Sequence, residues 1–459
     1  MPQLTGGEII ARTLTNYGVK YGAGIPGHGA WSMLDGFLRD GADVSLLQVF
    51  HEQSAVHLAD GYWRTAGKPM VAMTSIGPGA ANTVMGLATC YADSTSVLAI
   101  TGGPARHMAG HGVMQELDRR VANDFPSVVA PVTKRHMVVG LLEQLPSTLH
   151  RAFNAMLTGR PGPVHIEVPM DIQALQGEVE LHDLERRIPR GLLYPDPDAV
   201  EAAARLLHGA RRPVLAVGGG VISADASAQL RALAEALDAP VVNTWNGKGA
   251  FPEDHRLYAG PLGATGSSTG NTIAAAADVI LAVGCRFTDW SASSYAKGIS
   301  FSIPPAKLIH IDVDPYEIGK NYPADVGIVA DARPTLAAIV DTLGSTTGDK
   351  DARAQQLTEM AELKQAWDAQ VAERINDDVF PMNSQRTLRD LRRAMPRDGI
   401  IVVGSGNTQG AVKQSFPVYE PRTHLTSGGW SSMGWAVPAA IGAKLGRPDR
   451  KVVCILGDG

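Results

Sequence analysis

Residues 70–82 read Met-Val-Ala-Met-Thr-Ser-Ile-Gly-Pro-Gly-Ala-Ala-Asn, an apolar run that leads into a glycine-rich turn and then small residues. The apolar run predicts a buried strand, and the turn after it predicts the start of a helix. Turns of this kind hold an anion or let a flat ring approach the backbone, but they also serve as plain connections. The stretch therefore predicts an α/β fold and leaves its chemistry open.

Strand and helix patterns alternate on both sides of this stretch. Helical spacing of Ile9, Ile10, Thr13, Leu14 and Tyr17 predicts a helix that stops at Gly18. Short strands are predicted at residues 21–25, 44–50, 70–74, 97–101 and 164–168. Because strands alternate with helices, we predict the α/β class with doubly wound parallel sheets.

Two polar stretches, residues 173–198 and 345–378, divide the chain into three predicted domains at 1–172, 193–344 and 379–459. The second domain opens at Pro213-Val-Leu-Ala-Val-Gly-Gly-Gly220 and has further strands at 240–244, 279–284 and 308–314. The third has strands at 400–403 and 451–456, with an alanine-rich helix at 437–445. It is expected to be incomplete, because a strand followed only by Gly457-Asp458-Gly459 lacks its crossover helix.

Composition narrows the class of protein. The 459 residues are 44% apolar and 19% charged, which suits packed domains. A net charge of −5 without a basic stripe argues against nucleic acid as a partner. No signal peptide or membrane-spanning run is recognised, and Cys90, Cys285 and Cys454 form no CxxC pair. We expect buried free thiols in a cytoplasmic protein.

Five short constellations carry groups suited to chemistry. They are Gly27-His28-Gly29, His51-Glu52-Gln53, Ser75 to Asn82, Ser427 to Gly434, and Gly457-Asp458-Gly459. Taken alone, Glu52 reads as an acid that the helix dipole favours in a first turn. Asp458 suits Mg²⁺ beside a phosphate, or a simple turn. No single constellation is decisive.

The order and spacing of these motifs resemble the acetolactate synthase-like family of thiamine diphosphate enzymes over essentially the whole chain. The resemblance also covers Ile25-Pro-Gly, Gln115-Glu116, Pro131-Val-Thr-Lys134, Gly162-Pro-Val-His-Ile-Glu-Val-Pro169, Asn246-Gly-Lys-Gly-Ala-Phe-Pro252, Gly284-Cys-Arg-Phe287 and His310-Ile-Asp-Val-Asp-Pro315. It implies a pyrimidine-binding domain, a central domain and a diphosphate-binding domain, the last incomplete. It also implies a homo-oligomer with active sites between subunits.

The resemblance implies thiamine diphosphate and Mg²⁺ as cofactors. Glu52 matches the acid that hydrogen-bonds the pyrimidine ring, which lets the cofactor act as its own base. Met433 matches the apolar residue that holds the cofactor bent, and Asp458 matches a Mg²⁺ ligand. The cofactor-binding residues implied are Pro26, Gly27, Glu52, Ser75, Gly77, Pro78, Asn82, Gly406, Asn407, Thr408, Ser431, Ser432, Met433, Gly457, Asp458 and Gly459.

The central domain resembles the part of acetolactate synthases that binds FAD, although many relatives keep this domain without a flavin. The matching residues are Gly218, Gly219, Gly220, Gly247, Gly249, Gly263, Arg286, Asp312 and Asp331. After Arg286 the chain continues Phe-Thr-Asp-Trp290, which departs from the family's usual sequence. The resemblance therefore leaves both a flavin-bound and a flavin-free domain open.

Two departures near the expected active site bear on the substrate. His28 stands where synthases usually have glycine, and Met114 stands where they usually have Phe, while Gln115 is retained. His28 either packs or moves protons on the substrate, and we expect His28 and Gln115 to act in catalysis with Glu52. Cyclic 1,2-dione hydrolases of the same superfamily also look to carry Gly-His here, and they resemble this chain at Arg286 to Trp290.

The expected reaction makes or breaks a carbon–carbon bond next to a carbonyl. The leading hypothesis is a carboligase that decarboxylates a 2-oxo acid such as pyruvate. The alternatives are a hydrolase or lyase of a 1,2-dicarbonyl, an acyltransferase resembling sulfoacetaldehyde acetyltransferase, and a binding protein without catalysis. Retention of both Glu52 and Asp458 argues against the last of these.

Overall fold

The computed structural model describes residues 3–40, 42–116, 125–182, 187, 191–344 and 348–458. The chain divides into two compact units. The first comprises Met1–Arg190 together with Ser427–Cys454, and the second comprises Gly191–Thr426 together with Ile455–Gly459.

The amino-terminal part of the first unit alternates strands and helices. In chain order they are β1 (Gln3–Thr5), α1 (Gly6–Asn16), β2 (Tyr21–Gly24), α2 (Trp31–Asp40), β3 (Ser45–Gln48), α3 (Glu52–Ala66), β4 (Val71–Thr74), α4 (Pro78–Ala81), α5 (Val84–Asp93), β5 (Leu98–Gly103), α6 (Phe125–Val129), β6 (Arg135–Val138), α7 (Leu145–Leu157), β7 (Val164–Pro169), α8 (Met170–Ala174) and β8 (Gln176–Glu178).

The described strands of this part form a six-stranded parallel sheet in the order β3-β2-β4-β5-β7-β6. Along the predicted 70–74 strand, Val71 and Met73 enter one apolar cluster, whereas Met70 and Ala72 enter another. Both faces of the sheet are thus covered, which explains why the strand reads as a continuous apolar run. A small antiparallel pair, β1 with β8, lies apart from this sheet.

The second unit repeats the alternation. Its elements begin with α9 (Pro197–Gly209), β9 (Pro213–Val217), α10 (Gly219–Ser223), α11 (Ser227–Leu237), β10 (Val241–Asn243), β11 (Tyr258–Pro261), α12 (Ser268–Ala275), β12 (Val279–Val283), β13 (Lys307–Asp312), β14 (Val326–Val329), α13 (Ala332–Leu343) and α14 (Lys350–Ile375). The described strands form a parallel sheet in the order β11-β10-β9-β12-β13-β14.

The remaining elements are α15 (Ser384–Ala394), β15 (Ile400–Val403), α16 (Asn407–Ser415), β16 (His424–Thr426), α17 (Ala436–Gly446) and β17 (Val452–Ile455). Strands β15 and β16 pair in parallel, Ile401 opposite His424. The predicted α/β class with parallel sheets is confirmed. Burial of the thiols is confirmed for Cys90 and Cys285 but is wrong for Cys454, which is half-buried.

None of the helices in the described ranges combines the length and the apolar character that crossing a bilayer requires.

Candidate functional site

Glu52 is the first residue of α3 and is buried, with 7% of its surface exposed. His51 precedes the helix and caps it, its Nδ1 accepting a hydrogen bond from the Gln53 backbone N–H at 3.2 Å. The Glu52 Oε2 accepts from the Asn82 Nδ2 at 2.8 Å. Within the described part of the chain, no hydrogen bond to Oε1 is found. Asn82 thereby fixes Oε2, while Oε1 can accept a hydrogen bond from a ligand.

The glycine-rich turn quoted at the outset packs directly on this carboxylate. A Cβ added at Gly79 would lie 3.0 Å from the Glu52 Oε1, so a larger residue there would crowd the acid. At Gly77, where φ is +61°, a Cβ would lie 2.3 Å from the Gln115 carbonyl oxygen. The turn therefore connects Glu52 to the loop that carries Gln115, which the sequence could not show.

Gln115 itself has an exposed side chain and a positive φ of 69°, a strained conformation for a residue with a side chain. The loop before it is held by the Glu116 carboxylate, which accepts from the N–H groups of Gly110, Gly112 and Val113 at 2.7–3.1 Å. Met114 is 68% exposed. The backbone of the loop is thus fixed, while the side chains of Met114 and Gln115 are exposed.

His28 begins a short 3-10 helix, His28–Ala30, just after β2. Its loop rests on the loop after β4, because β2 and β4 are parallel neighbours and their carboxyl ends share one edge of the sheet. The Gly29 N–H donates to the Ser75 Oγ at 3.2 Å, and a Cβ at Gly27 would lie 2.6 Å from the Ser75 Cβ. The His28 ring is half-buried and meets Trp31 edge-on at 6.4 Å.

Residues 427–435 lie on the same unit as Glu52. The Gln53 Nε2 donates to the Met433 carbonyl oxygen at 3.2 Å, and the Ser432 and Thr89 hydroxyls are 2.8 Å apart. Ser431 has a positive φ of 57°. The Met433 side chain is 82% exposed, so its backbone is held while its thioether points outward.

The residues expected at the diphosphate lie in the second unit. The Gly404 N–H donates to the Ile455 carbonyl oxygen at 2.7 Å, and the Thr408 Oγ1 donates to the Gly404 carbonyl at 3.0 Å. Gly406, at a φ of +111°, precedes α16 (Asn407–Ser415). A Cβ added at Gly406 or at Gly457 would meet no atom within 4 Å, so both backbones are open to a ligand. Asp458 is exposed, and Gly459 lies outside the described residues.

Most glycines of the expected flavin site pack against the chain's own backbone. Added Cβ atoms at Gly218, Gly247 and Gly263 would lie 1.9–2.3 Å from the carbonyl oxygens of Gly284, Val217 and Trp290. Gly220 meets Gly284 and Gly249 meets Glu420, while Gly219 has only Asn246 nearby. Internal packing therefore explains these glycines without a flavin.

The acidic residues of that set also have internal partners. The Asp331 Oδ2 accepts from the Leu193 N–H at 2.7 Å, and the Asp312 Oδ1 accepts from the Asp314 N–H at 2.9 Å. Burial raises the pKa of Asp312. Arg286 is half-buried, and its carbonyl oxygen accepts from the Asn321 side chain at 3.2 Å.

Comparison with known proteins gives three domain matches in chain order. Residues 4–122 match the thiamine pyrophosphate enzyme N-terminal binding domain, residues 200–339 the central domain, and residues 404–459 the C-terminal binding domain. The probable acetolactate synthase large subunit of Methanocaldococcus jannaschii is 36% identical, over 99% of this chain and 76% of the relative. The chain belongs to the acetolactate synthase-like family of thiamine diphosphate enzymes.

Two bacterial relatives agree with this assignment. The acetolactate synthase large subunit of Corynebacterium glutamicum is 35% identical over all of this chain and 71% of the relative. The acetolactate synthase isozyme 3 large subunit of Escherichia coli K12 is 34% identical over all of this chain and 78% of the relative. The resemblance drawn from the sequence motifs is thereby confirmed at the level of the family.

Reasoning from sequence assigned no role to several groups beside the site of this acetolactate synthase-like protein. His57 is fully buried, and burial lowers its pKa to about 4, so its ring stays neutral. Asp60, Arg64 and Asp93 form a buried ionic group in the same unit. One signal could have pointed to part of this group, since Asp60 and Arg64 lie four residues apart on one helix.

Proposed function

We propose that the protein is a thiamine-diphosphate- and Mg²⁺-dependent carboligase that decarboxylates a 2-oxo acid such as pyruvate and joins the two-carbon unit to a second carbonyl. The supporting relatives are named as acetolactate synthases, and the three matched domains are those of thiamine pyrophosphate enzymes. The three domains would be residues 1–172, 193–344 and 379–459.

The observation that carries the proposal is the environment of Glu52. Its Oε2 is occupied by Asn82, and its Oε1 is free of a described partner beside Gly79, the residue that leaves room next to it. A buried acid with one free oxygen suits a hydrogen bond to a pyrimidine ring nitrogen. When bound, the thiazolium ring of thiamine diphosphate supplies the electron sink for cleavage of a bond next to a carbonyl.

The chain's own residues would divide the remaining work. Glu52 would hold a proton against the pyrimidine, and Met433 would support the bent shape of the cofactor. Gln115 and His28 would face the substrate, the first as a hydrogen-bond donor and the second as a group that shapes the pocket or moves a proton. Pro26, Gly27, Ser75, Gly77, Pro78, Ser431 and Ser432 would line the cofactor.

The diphosphate and its metal would be held by residues of the second unit. The open backbones of Gly406 and Gly457 leave space that a Cβ would fill, and α16 presents its N-terminal N–H groups at Asn407 and Thr408. Asp458 would be a Mg²⁺ ligand. Mg²⁺ in proteins is typically held by one or two carboxylates together with phosphate oxygens, which suits a single acid beside a diphosphate.

His28 supports a second candidate, hydrolysis or cleavage of a cyclic 1,2-dione. Its half-buried ring lies at the sheet edge that also carries Ser75, and histidine is the side chain most often used as a general acid or base. An acyltransferase would use the same acid and the same cofactor. Release of carbon dioxide separates the carboligase from the dione hydrolase.

The deciding experiment measures carbon dioxide released from pyruvate by the purified protein, with Mg²⁺ and thiamine diphosphate added or withheld. Cofactor-dependent carbon dioxide together with a condensed hydroxy-keto product supports the carboligase. Cofactor-loaded protein that releases none from pyruvate overturns pyruvate as substrate. Turnover of cyclic 1,2-diones that is lost in His28→Ala would then establish the second candidate.

A further inference from the structure

A buried group of three charges lies beneath the segment that carries Met433. The Arg64 guanidinium donates to the Asp60 carboxylate through Nε at 2.8 Å and through a terminal nitrogen at 3.1 Å, and to the Asp93 Oδ2 at 2.8 Å. Both carboxylates are fully buried, and 13% of the Arg64 side chain is exposed. Burial alone would lower the pKa of Arg64, but the two carboxylates raise it.

Such a group is costly to bury and contributes little to stability on its own, so we looked for a second role in its other contacts. Further hydrogen bonds to its two carboxylates identify one. The Asp60 Oδ2 accepts from the Trp435 Nε1 at 2.6 Å, and the Asp93 Oδ1 accepts from the Gly429 N–H at 2.7 Å. The Arg64 guanidinium lies 5.1 Å from the centre of the Trp435 ring, within cation–π range. We call Asp60, Arg64, Asp93 and Trp435 the Arg64 clamp.

The clamp holds the two ends of residues 429–435, and Met433 lies between them. Inside the segment, Ser432 meets Thr89, and the Met433 carbonyl accepts from Gln53, the neighbour of Glu52 in α3. The Met433 side chain makes up little of this anchoring, because it is mostly exposed. Its location is therefore set by its backbone, which the clamp holds at both ends and which Thr89 and Gln53 hold between them.

Helix α17, which follows the segment, has a separate anchor. A Cβ at Gly61 would lie 2.0 Å from the Ala439 carbonyl oxygen, and one at Gly442 would lie 1.9 Å from the Leu58 carbonyl oxygen. The helices α3 and α17 thus pack backbone to backbone at two glycines. Loss of the clamp should free residues 429–435 without detaching α17.

We propose that Arg64 is a positioning residue that acts through Asp60, Asp93 and Trp435 to fix residues 429–435, and so sets the distance between Met433 and Glu52. The role of Met433 toward the cofactor rests on the proposed function. The positioning of residues 429–435 by the clamp is independent of that function, because the contacts that hold the segment are made within the chain.

The test compares two tryptophans of the same segment. Trp435→Phe keeps an aromatic ring and removes the N–H that reaches Asp60. Trp430→Phe is the matched control, because the Trp430 indole is about half exposed and its Nε1 reaches only the Met85 sulfur at 3.1 Å in the described structure. Arg64→Lys is the second clamp variant, since an ammonium group lacks the planar fork with which the guanidinium reaches both carboxylates and the Trp435 ring.

Two quantities are measured on each variant: amide hydrogen exchange in the cofactor-free protein, by mass spectrometry, and the Kd for thiamine diphosphate with Mg²⁺, by calorimetry. In Trp435→Phe and Arg64→Lys we expect exchange of residues 427–435 to rise about tenfold, with residues 436–446 unchanged, as for loss of a hydrogen bond to a charged group. The Kd should rise by a similar factor. Trp430→Phe should stay within about twofold of wild type in both.

Unchanged exchange of residues 427–435 in the clamp variants would overturn the proposal. An equal rise in residues 436–446 would also overturn it, because the clamp would then be a general support of the fold. Wild-type protein that binds no thiamine diphosphate would refute the proposed function instead, while the exchange pattern would still decide whether the clamp positions the segment.

Discussion

The contacts of Glu52 allow the effect of its charge to be tested separately from the effect of its packing. In Glu52→Gln the side chain keeps its length, and its amide oxygen can still accept the 2.8 Å hydrogen bond from Asn82. The acid that would hold a proton against the pyrimidine is gone, so turnover should fall at least about a hundredfold, the usual range for an acid–base group. Steady-state rates with saturating cofactor check this result.

The same variant should unfold with a free energy within about 1 kcal/mol of wild type, because one hydrogen bond is conserved and no cavity forms. Glu143→Gln, at an exposed position, is the control for loss of a carboxylate elsewhere in the domain. Retention of more than a tenth of the activity in Glu52→Gln would remove Glu52 from the mechanism.

A second residue-scale prediction concerns acid stability. His165 is fully buried, its Nε2 lies 2.9 Å from the Thr101 Oγ1, and burial lowers its pKa to about 3. At pH values between this pKa and the usual value near 6.5, the His165 ring is protonated in the unfolded chain but neutral in the folded chain. The stability contributed by the neutral ring is therefore complete above pH 6.5 and is lost as the pH falls toward 3.

Urea unfolding at pH 7 and at pH 5 measures this loss. His165→Gln keeps a polar group near Thr101 and cannot gain a ring proton, so its unfolding free energy should fall less between the two pH values than that of wild type. His107→Gln, at an exposed position, should behave like wild type. Equal pH dependence in all three proteins would show that His165 titrates normally in the folded state.

At the scale of helices and strands, continuous apolar runs make a strand predictable from the sequence, but burial alone does not decide, since the mostly exposed β3 was predicted and the fully buried β11 was missed. The runs at 213–217, 279–283 and 400–403 were predicted because both faces of those strands are covered. Strand β6, Arg135–Val138, was missed because it lies at the sheet edge with exposed polar residues. Strand β16 was missed because two of its three residues, His424 and Thr426, are polar.

Contacts between elements could not be predicted from one sequence. The acid Glu52 was identified by its motif, but its partner Asn82 is 30 residues away and belongs to a motif whose turn had an equally good plain explanation. The hydrogen bond from Trp435 to Asp60 joins residues 375 positions apart. A pattern shows that a tryptophan and an aspartate are present, and only the packing of α17 on α3 shows that they meet.

The packing of the central sheet gives a prediction about flavin. Carbonyl oxygens lie where side chains of Gly218, Gly247 and Gly263 would be, so these glycines serve the fold. We expect the purified protein to lack the visible absorbance of a stoichiometric flavin, and added FAD to leave turnover unchanged. Heat-denatured protein that releases one flavin per chain would contradict this expectation.

At the scale of the whole molecule, we predict a homo-oligomer in which each active site is formed by residues from two copies of the chain. The first unit exposes large apolar side chains around the candidate site, among them Phe50 at 99%, Met114 and Met433. Exposed apolar groups gathered around a polar site are typical of an interface rather than of a free surface. The proposed function requires a second copy of the chain to cover this surface.

Complementation between two inactive variants decides this point. Glu52→Gln disables the pyrimidine side and Asp458→Asn the metal side, so each variant alone should be inactive. If one site takes Glu52 from one copy and Asp458 from the other, a mixed dimer regains one intact site of its two. Random pairing of co-expressed chains then gives about a quarter of the wild-type turnover. If both residues of a site come from one copy, every site in the mixture keeps one defect, and co-expression restores nothing.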